Sequence, residues 1–306
     1  MAKVIFRLFI SIFIQFGVKA LLVLINILPT KLLYYFGDFL SYLYYLLSTK
    51  NRNLALGNLK LALGDTVALA TRKMIARKSF KATGRVILDS LRYKDIPPGK
   101  MRQLVSIEGL EYLEAALKKG KGVICVSAHL GSFTLLGYRL RIEGYKVNFI
   151  ARHMRYQNLE RAFQNICDAA GQKVIFNRPI FTCMRRCIKV LSQNEMLIIE
   201  LDQNFGTEGI DVNFFGRSAQ VAMGPIVLSQ HTQAVILPMF VISNDGNTHV
   251  IKIEPPIDLN FTKHGHEDRR QNLQKVVDVV ERFIRKYPGQ WLNWIHKQWD
   301  LPKLSK

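Results

Sequence analysis

The feature most suggestive of chemistry is a histidine delivered by an apolar strand into a glycine turn. The run Gly122-Val-Ile-Cys-Val-Ser-Ala-His129-Leu-Gly-Ser-Phe-Thr134 reads as a buried strand, then His129, then a turn at Gly131 and Ser132, then the start of a helix. An imidazole with an ordinary pKa of ~6.5 is a natural base for a hydroxyl that must lose its proton as it attacks a carbonyl. Such a base works best beside a carboxylate that orients the ring and stabilises its charged form. Five positions after His129, where that carboxylate is wanted, stands Thr134. Its hydroxyl can accept a hydrogen bond from a ring nitrogen, but a neutral hydrogen bond is roughly half as strong as a charge-assisted one.

Two other carboxylates are candidates for the missing partner. Asp202 follows the apolar run Met196-Leu-Ile-Ile-Glu-Leu201 and opens the loop Asp202-Gln-Asn-Phe-Gly206, and Glu200 shares its strand face by alternation. Nothing local places either beside His129, and a loop or helix-capping role explains Asp202 equally well. Asp202 is the stronger candidate. Arg152, Arg155 and Arg161 offer positive charge to a substrate, or are solvated surface residues. Ser127 lacks the Gly-x-Ser-x-Gly elbow of a serine nucleophile. Lys119-Gly-Lys-Gly122 lacks the spacing and Lys-Ser/Thr ending of a phosphate loop and reads as a tight turn. Cys125, Cys167, Cys183 and Cys187 lie in apolar or helical stretches without zinc spacing, so reduced thiols and no metal or cofactor are expected.

These residues need a scaffold, and 306 residues with 49% hydrophobic content bury one main core. Four apolar runs read as buried strands: 122–128, 146–151, 196–201 and 234–241. Helical segments separate them, which predicts an α/β fold with a central, mostly parallel or mixed sheet flanked by helices, its ligand site at the carboxyl ends of the strands. This part begins near residue 100, after Pro97-Pro98. From Asn51 to Tyr93 the pattern is helical, with a basic amphipathic run through Lys73, Arg77 and Lys81 that suits anionic lipid or solvent equally. Leu8 to Pro29 is nearly continuous apolar sequence with Lys19 as its only charge, long enough either to span a bilayer or to embed in its interface. Lys3 and Arg7 would hold the N-terminus inside. Leu32 to Leu47 adds Tyr34, Tyr35, Tyr42, Tyr44 and Tyr45, suited to a headgroup-level belt; the alternative is a pair of core helices. A net charge of +20 points to anionic partners. No nucleic-acid recognition motif is visible, so a lipid surface or an acidic carrier protein fits better.

In this order and spacing the motifs resemble the lipid A biosynthesis acyltransferases, the late acyltransferases of the lysophospholipid acyltransferase-like superfamily. The resemblance spans nearly the whole chain. It runs through Leu28-Pro29, Asn58-Leu59, His129-Leu-Gly-Ser-Phe-Thr134, Asp202-Gln203, Phe214-Phe-Gly216, Gly224-Pro225, Thr232 and Pro238. It ends in Pro288-Gly-Gln-Trp291-Leu-Asn-Trp294-Ile-His296-Lys-Gln-Trp299. The resemblance implies a glycerolphosphate-acyltransferase-like fold, with 1–50 as membrane-associated helices and 51–306 as the acyltransferase domain: a helical lead-in over 51–99 and an α/β core over 100–306. It also implies transfer of a fatty acyl group from an acyl carrier protein or coenzyme A thioester to a hydroxyl of a lipid A precursor or related glycolipid. The reaction would take place at the cytoplasmic face of the inner membrane.

On that resemblance His129, Thr134 and Asp202 are the catalytic candidates, and Gly131, Ser132, Arg152, Gln203 and Gly224 the substrate-binding ones. His296 and the tryptophans Trp291, Trp294 and Trp299 are expected to pack or anchor at an interface rather than do chemistry. Two departures stand out. The family's His-x4-Asp/Glu pair reads His-x4-Thr, and an arginine expected four residues before Gly171 is Cys167. They motivate an alternative reading as a catalytically impaired member that binds lipid or a partner protein. If the site is otherwise intact, Thr134→Glu is expected to raise turnover.

Overall fold

A computed structural model describes residues 29–299, apart from 155, 206–208, 246, 263 and 264. The apolar run from Leu8 to Leu28, with Lys19, therefore lies outside the described residues, as do Arg155 and Gly206. Three helices open the described chain: α1 (Thr30–Leu47), α2 (Thr49–Leu63) and α3 (Leu69–Arg92). A short helix α4 (Pro98–Leu104) then leads into alternating strands and helices: β1 (Val105–Glu108), α5 (Leu110–Leu117), β2 (Val123–Ser127), α6 (Leu135–Ile142), β3 (Val147–Ala151), α7 (Gln157–Ala169), β4 (Lys173–Phe176), α8 (Ile180–Ser192) and β5 (Met196–Glu200). A hairpin of β6 (Ile210–Phe214) and β7 (Arg217–Val221) follows, then α9 (Gly224–Thr232), β8 (Val235–Ser243), β9 (His249–Ile253) and α10 (Gly265–Lys286).

Seven strands form one sheet in the order β1-β9-β8-β2-β5-β3-β4. Every pairing is parallel except β8 with β9, so the sheet is mostly parallel with one reversed strand. β2 sits at its centre, and all five of its residues are buried. Strand alternation divides them between two cores. Ile124 and Val126 pack with residues of α2, α3, α8, α9 and α10, while Val123 and Cys125 pack with residues of α4, α5 and α6. A strand covered on both faces must be apolar throughout, which is why the run before His129 carries no polar alternation. All four cysteines are buried and unpaired.

Helix α1 lies across α3 at close range. An added Cβ at Gly84 would fall 2.0 Å from Ser41 Oγ, and one at Gly37 would fall 2.5 Å from Leu88 Cδ1. The contact buries Leu33, Tyr34 and Leu88. The remainder of α1 is bare: Leu32, Tyr35, Phe39 and Leu47 are each more than half exposed, and Tyr42 and Tyr44 are exposed too. Tyr34 and Tyr45, by contrast, turn into the protein, so the tyrosines do not form one belt. Among the described residues no helix is long and apolar enough to cross a membrane.

Candidate active site

Parallel pairing builds the site. β2 and β5 are neighbours with Ser127 opposite Glu200. Two residues further along each strand, His129 and Asp202 emerge side by side at the carboxyl ends. His129 Nδ1 lies 2.8 Å from Asp202 Oδ1, and the backbone N–H of His129 donates to Asp202 Oδ2 at 2.8 Å. The carboxylate is buried, whereas the imidazole keeps 25% of its surface exposed. Its Nε2 makes no hydrogen bond among the described residues, and its ring meets Phe133 edge-on at 4.8 Å.

The C-terminal segment wraps this pair. Trp291 Nε1–H and the Asn293 side-chain amide both donate to Asp202 Oδ2, at 2.7 and 2.8 Å. The Asn293 amide also lies 3.2 Å from His129 Nδ1. The backbone of Leu292 donates to the His129 carbonyl at 3.0 Å, and the Gln298 side chain donates to the Asp202 carbonyl. Gln203 reaches Asn293 Oδ1 at 3.4 Å. A box of aromatic side chains holds the segment. Phe214 and Phe215 of the hairpin pack against Trp291 and Trp299, and Trp291 packs against Trp294. Asn58 of α2 ties it down by donating to the carbonyls of Trp294 and His296, both at 2.8 Å. All three tryptophans are buried, so they pack, and do not serve as interfacial anchors.

Opposing electrostatic effects act on the pair. Burial alone would push the His129 imidazole down, but the charge and hydrogen bond of Asp202, with Glu200 nearby, outweigh it and raise its pKa above the ordinary value; Arg152 opposes weakly. For Asp202, burial raises and the contacts with His129 and Trp291 lower, and the net result is a carboxyl below its usual range. Burial lifts Glu200. An imidazole so held carries its proton on Nδ1, toward Asp202, and offers a free Nε2 as base.

The remaining candidates divide. Thr134 does not face the imidazole: it precedes α6, and its Oγ1 accepts a hydrogen bond from Ser90 of α3 at 2.9 Å. The turn between them explains this, since Ser132 and Thr134 both turn toward α3, while Phe133 lies against the ring. Ser132 is buried and donates to Asp89. Gly131 has φ +54° and passes under the Val241 carbonyl, where an added Cβ would come within 2.3 Å of the oxygen, so any side chain is excluded. Arg152 leaves the end of β3, beside β5, and stacks its guanidinium over Phe205 at 5.0 Å. Gly224 opens α9 and has no part in the hydrogen-bond network of His129. Cys167 is buried on α7, and the Arg141 side chain packs against Gly171. The residues that motif reading missed are Asn293 and the Trp291 N–H. Their signal was the polar Asn293 set between two buried tryptophans, a position that demands a hydrogen-bond partner.

The sequence profile of the bacterial lipid A biosynthesis acyltransferases matches residues 4–300. Among characterised relatives, the phosphatidylinositol mannoside acyltransferase of Mycolicibacterium smegmatis is 22% identical over 230 residues, covering 74% of this chain and 72% of that protein. The protein of the same name from Mycobacterium tuberculosis is 25% identical over 227 residues, 72% of this chain and 69% of the relative. The lipid A biosynthesis palmitoleoyltransferase of Escherichia coli is 25% identical over 253 residues, 81% of this chain and 78% of the relative.

Proposed function

The chain belongs to the bacterial lipid A biosynthesis acyltransferase family, and from that premise we propose that it moves a fatty acyl group from an acyl thioester to a hydroxyl of a lipid A precursor or related glycolipid, with His129 as general base. The observation that carries the reading is the His129–Asp202 contact with Nε2 left open. In the forward step Nε2 takes the acceptor hydroxyl proton as the oxygen attacks the thioester carbonyl. Asp202 stabilises the resulting imidazolium, and the same proton then passes to the departing thiolate. Both protonation states of the ring are served by one geometry. Arg152, at the neighbouring strand end, supplies positive charge near the reacting centre.

The donor in this reading is a thioester of an acyl carrier protein or of coenzyme A, and a protein of charge +20 suits an acidic carrier electrostatically. The acceptor is a lipid, so the reaction belongs at a membrane, for which we propose the cytoplasmic face of the inner membrane. The bare apolar surface of α1 supports contact with a membrane. Thr134 favours a second reading, an impaired member that binds lipid or a partner protein, and the Asp202 contact with His129 supports the active one. Purified protein given a long-chain acyl-carrier donor is expected to acylate the glycolipid, and His129→Ala to abolish the product. Full activity in that variant would remove His129 from the mechanism.

A further inference from the structure

Three residues past His129 the chain lines a cavity of about 790 Å³, to which neither His129 nor Asp202 contributes. That volume lies within the range of small-ligand pockets. Its walls are α1, α3, the turn from β8 to β9 and the end of α10. The floor is polar and already satisfied. The buried Tyr34 and Ser132 hydroxyls both donate to Asp89, and His249 Nε2 stands 4.0 Å from the same carboxylate while its Nδ1 meets Ser243 Oγ at 3.0 Å.

The rim is cationic. Lys78, Lys81 and Arg85 project from one face of α3, Lys31 joins them from α1 and Lys286 from α10. Asp38 answers two of the five, at 2.8 Å from Lys81 and 2.9 Å from Arg85. Lys31, Lys78 and Lys286 have no carboxylate partner among the described residues. Against five cations the lining sets three carboxylates, Asp38, Asp89 and the exposed Asp245, so the cavity holds an excess of two positive charges. The mouth is also apolar on one side, because Tyr35 of α1 and Met74 of α3 line it at 71% and 48% exposure and continue into the bare face of α1. A ligand that matches both halves has an anionic head and an apolar body. Lysines arriving from three separate helices suit a compact tetrahedral anion, for which lysine acts as a point charge.

We infer that this cavity takes the phosphate-bearing headgroup of a lipid, whose chains lie along the exposed apolar face of α1. The inference concerns binding and goes beyond acyl transfer, so its failure leaves the His129–Asp202 reading untouched. The test is sedimentation of the full chain with phosphatidylcholine vesicles, with and without phosphatidylglycerol, for wild type and for Lys78→Ala/Lys286→Ala. Lys119→Ala/Lys121→Ala, in the turn that precedes β2 at the opposite end of the sheet, is the charge-matched control. Each lysine near an anionic surface contributes about fivefold in affinity, so the Lys78/Lys286 pair is expected to lower the phosphatidylglycerol-dependent affinity by about 30-fold. The control pair is expected to leave it nearly unchanged, and Lys78→Arg/Lys286→Arg to retain most of it. Glycerol 3-phosphate added as competitor separates the sources of phosphate. Displacement of the wild-type protein assigns the cavity to phosphate esters in general, and no displacement assigns it to the lipid in its membrane. Equal losses in the two alanine pairs, or none in either, overturn the proposal.

Discussion

Replacing Asp202 by asparagine is the sharpest probe of the site, because the geometry dictates how the amide must sit. Three donors converge on Oδ2, from the His129 backbone, Trp291 and Asn293, while among the described residues Oδ1 meets only His129 Nδ1. An asparagine has one acceptor oxygen, and leaving three buried donors unsatisfied costs more than leaving one. The oxygen therefore takes the Oδ2 side, and the NH₂ faces His129 Nδ1. That nitrogen must then accept, so the ring proton moves to Nε2 and the base is blocked. The comparable exchange in a serine protease costs ~10⁴ in turnover. We expect a loss of about 10³ to 10⁴ here, equivalent to ~4–5.5 kcal/mol of transition-state stabilisation. The pH profile should move as well. In the wild type the base is freed as pH rises through the raised His129 pKa, so the acid limb lies above ~6.5. Without the carboxylate charge, burial dominates and the residual activity titrates at lower pH. Turnover of the glycolipid by an acyl-carrier thioester, measured across pH, reads both effects. An Asp202→Asn enzyme that is correctly folded, within tenfold of wild type and unchanged in its acid limb would refute the reasoning.

Thr134→Glu is expected to give no gain in turnover, because the carboxylate in contact with His129 is Asp202 and the Thr134 hydroxyl faces Ser90; a tenfold rise in steady-state rate would restore residue 134 to the mechanism. Trp291→Phe keeps an aromatic ring but removes a donor to a buried carboxylate and part of the buried indole, and should cost at least ~1.5–3 kcal/mol in urea unfolding at neutral pH, with a loss of turnover. Asn58→Leu leaves the buried carbonyl of Trp294 and the part-buried one of His296 without their donor; a destabilisation of ~2–3 kcal/mol is expected by the same measurement. The pair also leaves a mark on stability against pH. The His129 contribution, taken as wild type minus His129→Gln, should be largest below ~6.5 and decline as pH rises through its raised folded pKa. The Asp202 contribution has the opposite sign: it is present above ~3.9 and is lost as pH falls through its lowered folded value. Thermal melts taken at intervals from below ~3.9 to well above ~6.5 would show a His129 term that grows with pH if this assignment is wrong.

What was legible in the chain was whatever is decided locally. β2 is buried on both faces and so reads as an unbroken apolar run, as do β5 and β8. The edge strands β1 and β4 are four residues each, partly exposed, and too short to carry a period. The proposed catalytic pair lies at the other extreme. His129 and Asp202 are 73 residues apart, and only the register of β2 on β5 makes them neighbours. Alternation could say that Glu200 and Asp202 share a face, but not which strand would stand beside it. Asn293 was hidden for the same reason, since its partner is supplied by the fold. A motif is read along the chain, where the residue five places on is the obvious partner, and so Thr134 reads as a lesion. In three dimensions that residue sits at the start of a helix turned toward α3, and the carboxylate that meets the ring arrives through the adjacent strand. A departure from a linear motif removes the orienting contact only when the residue lost is the one that makes it.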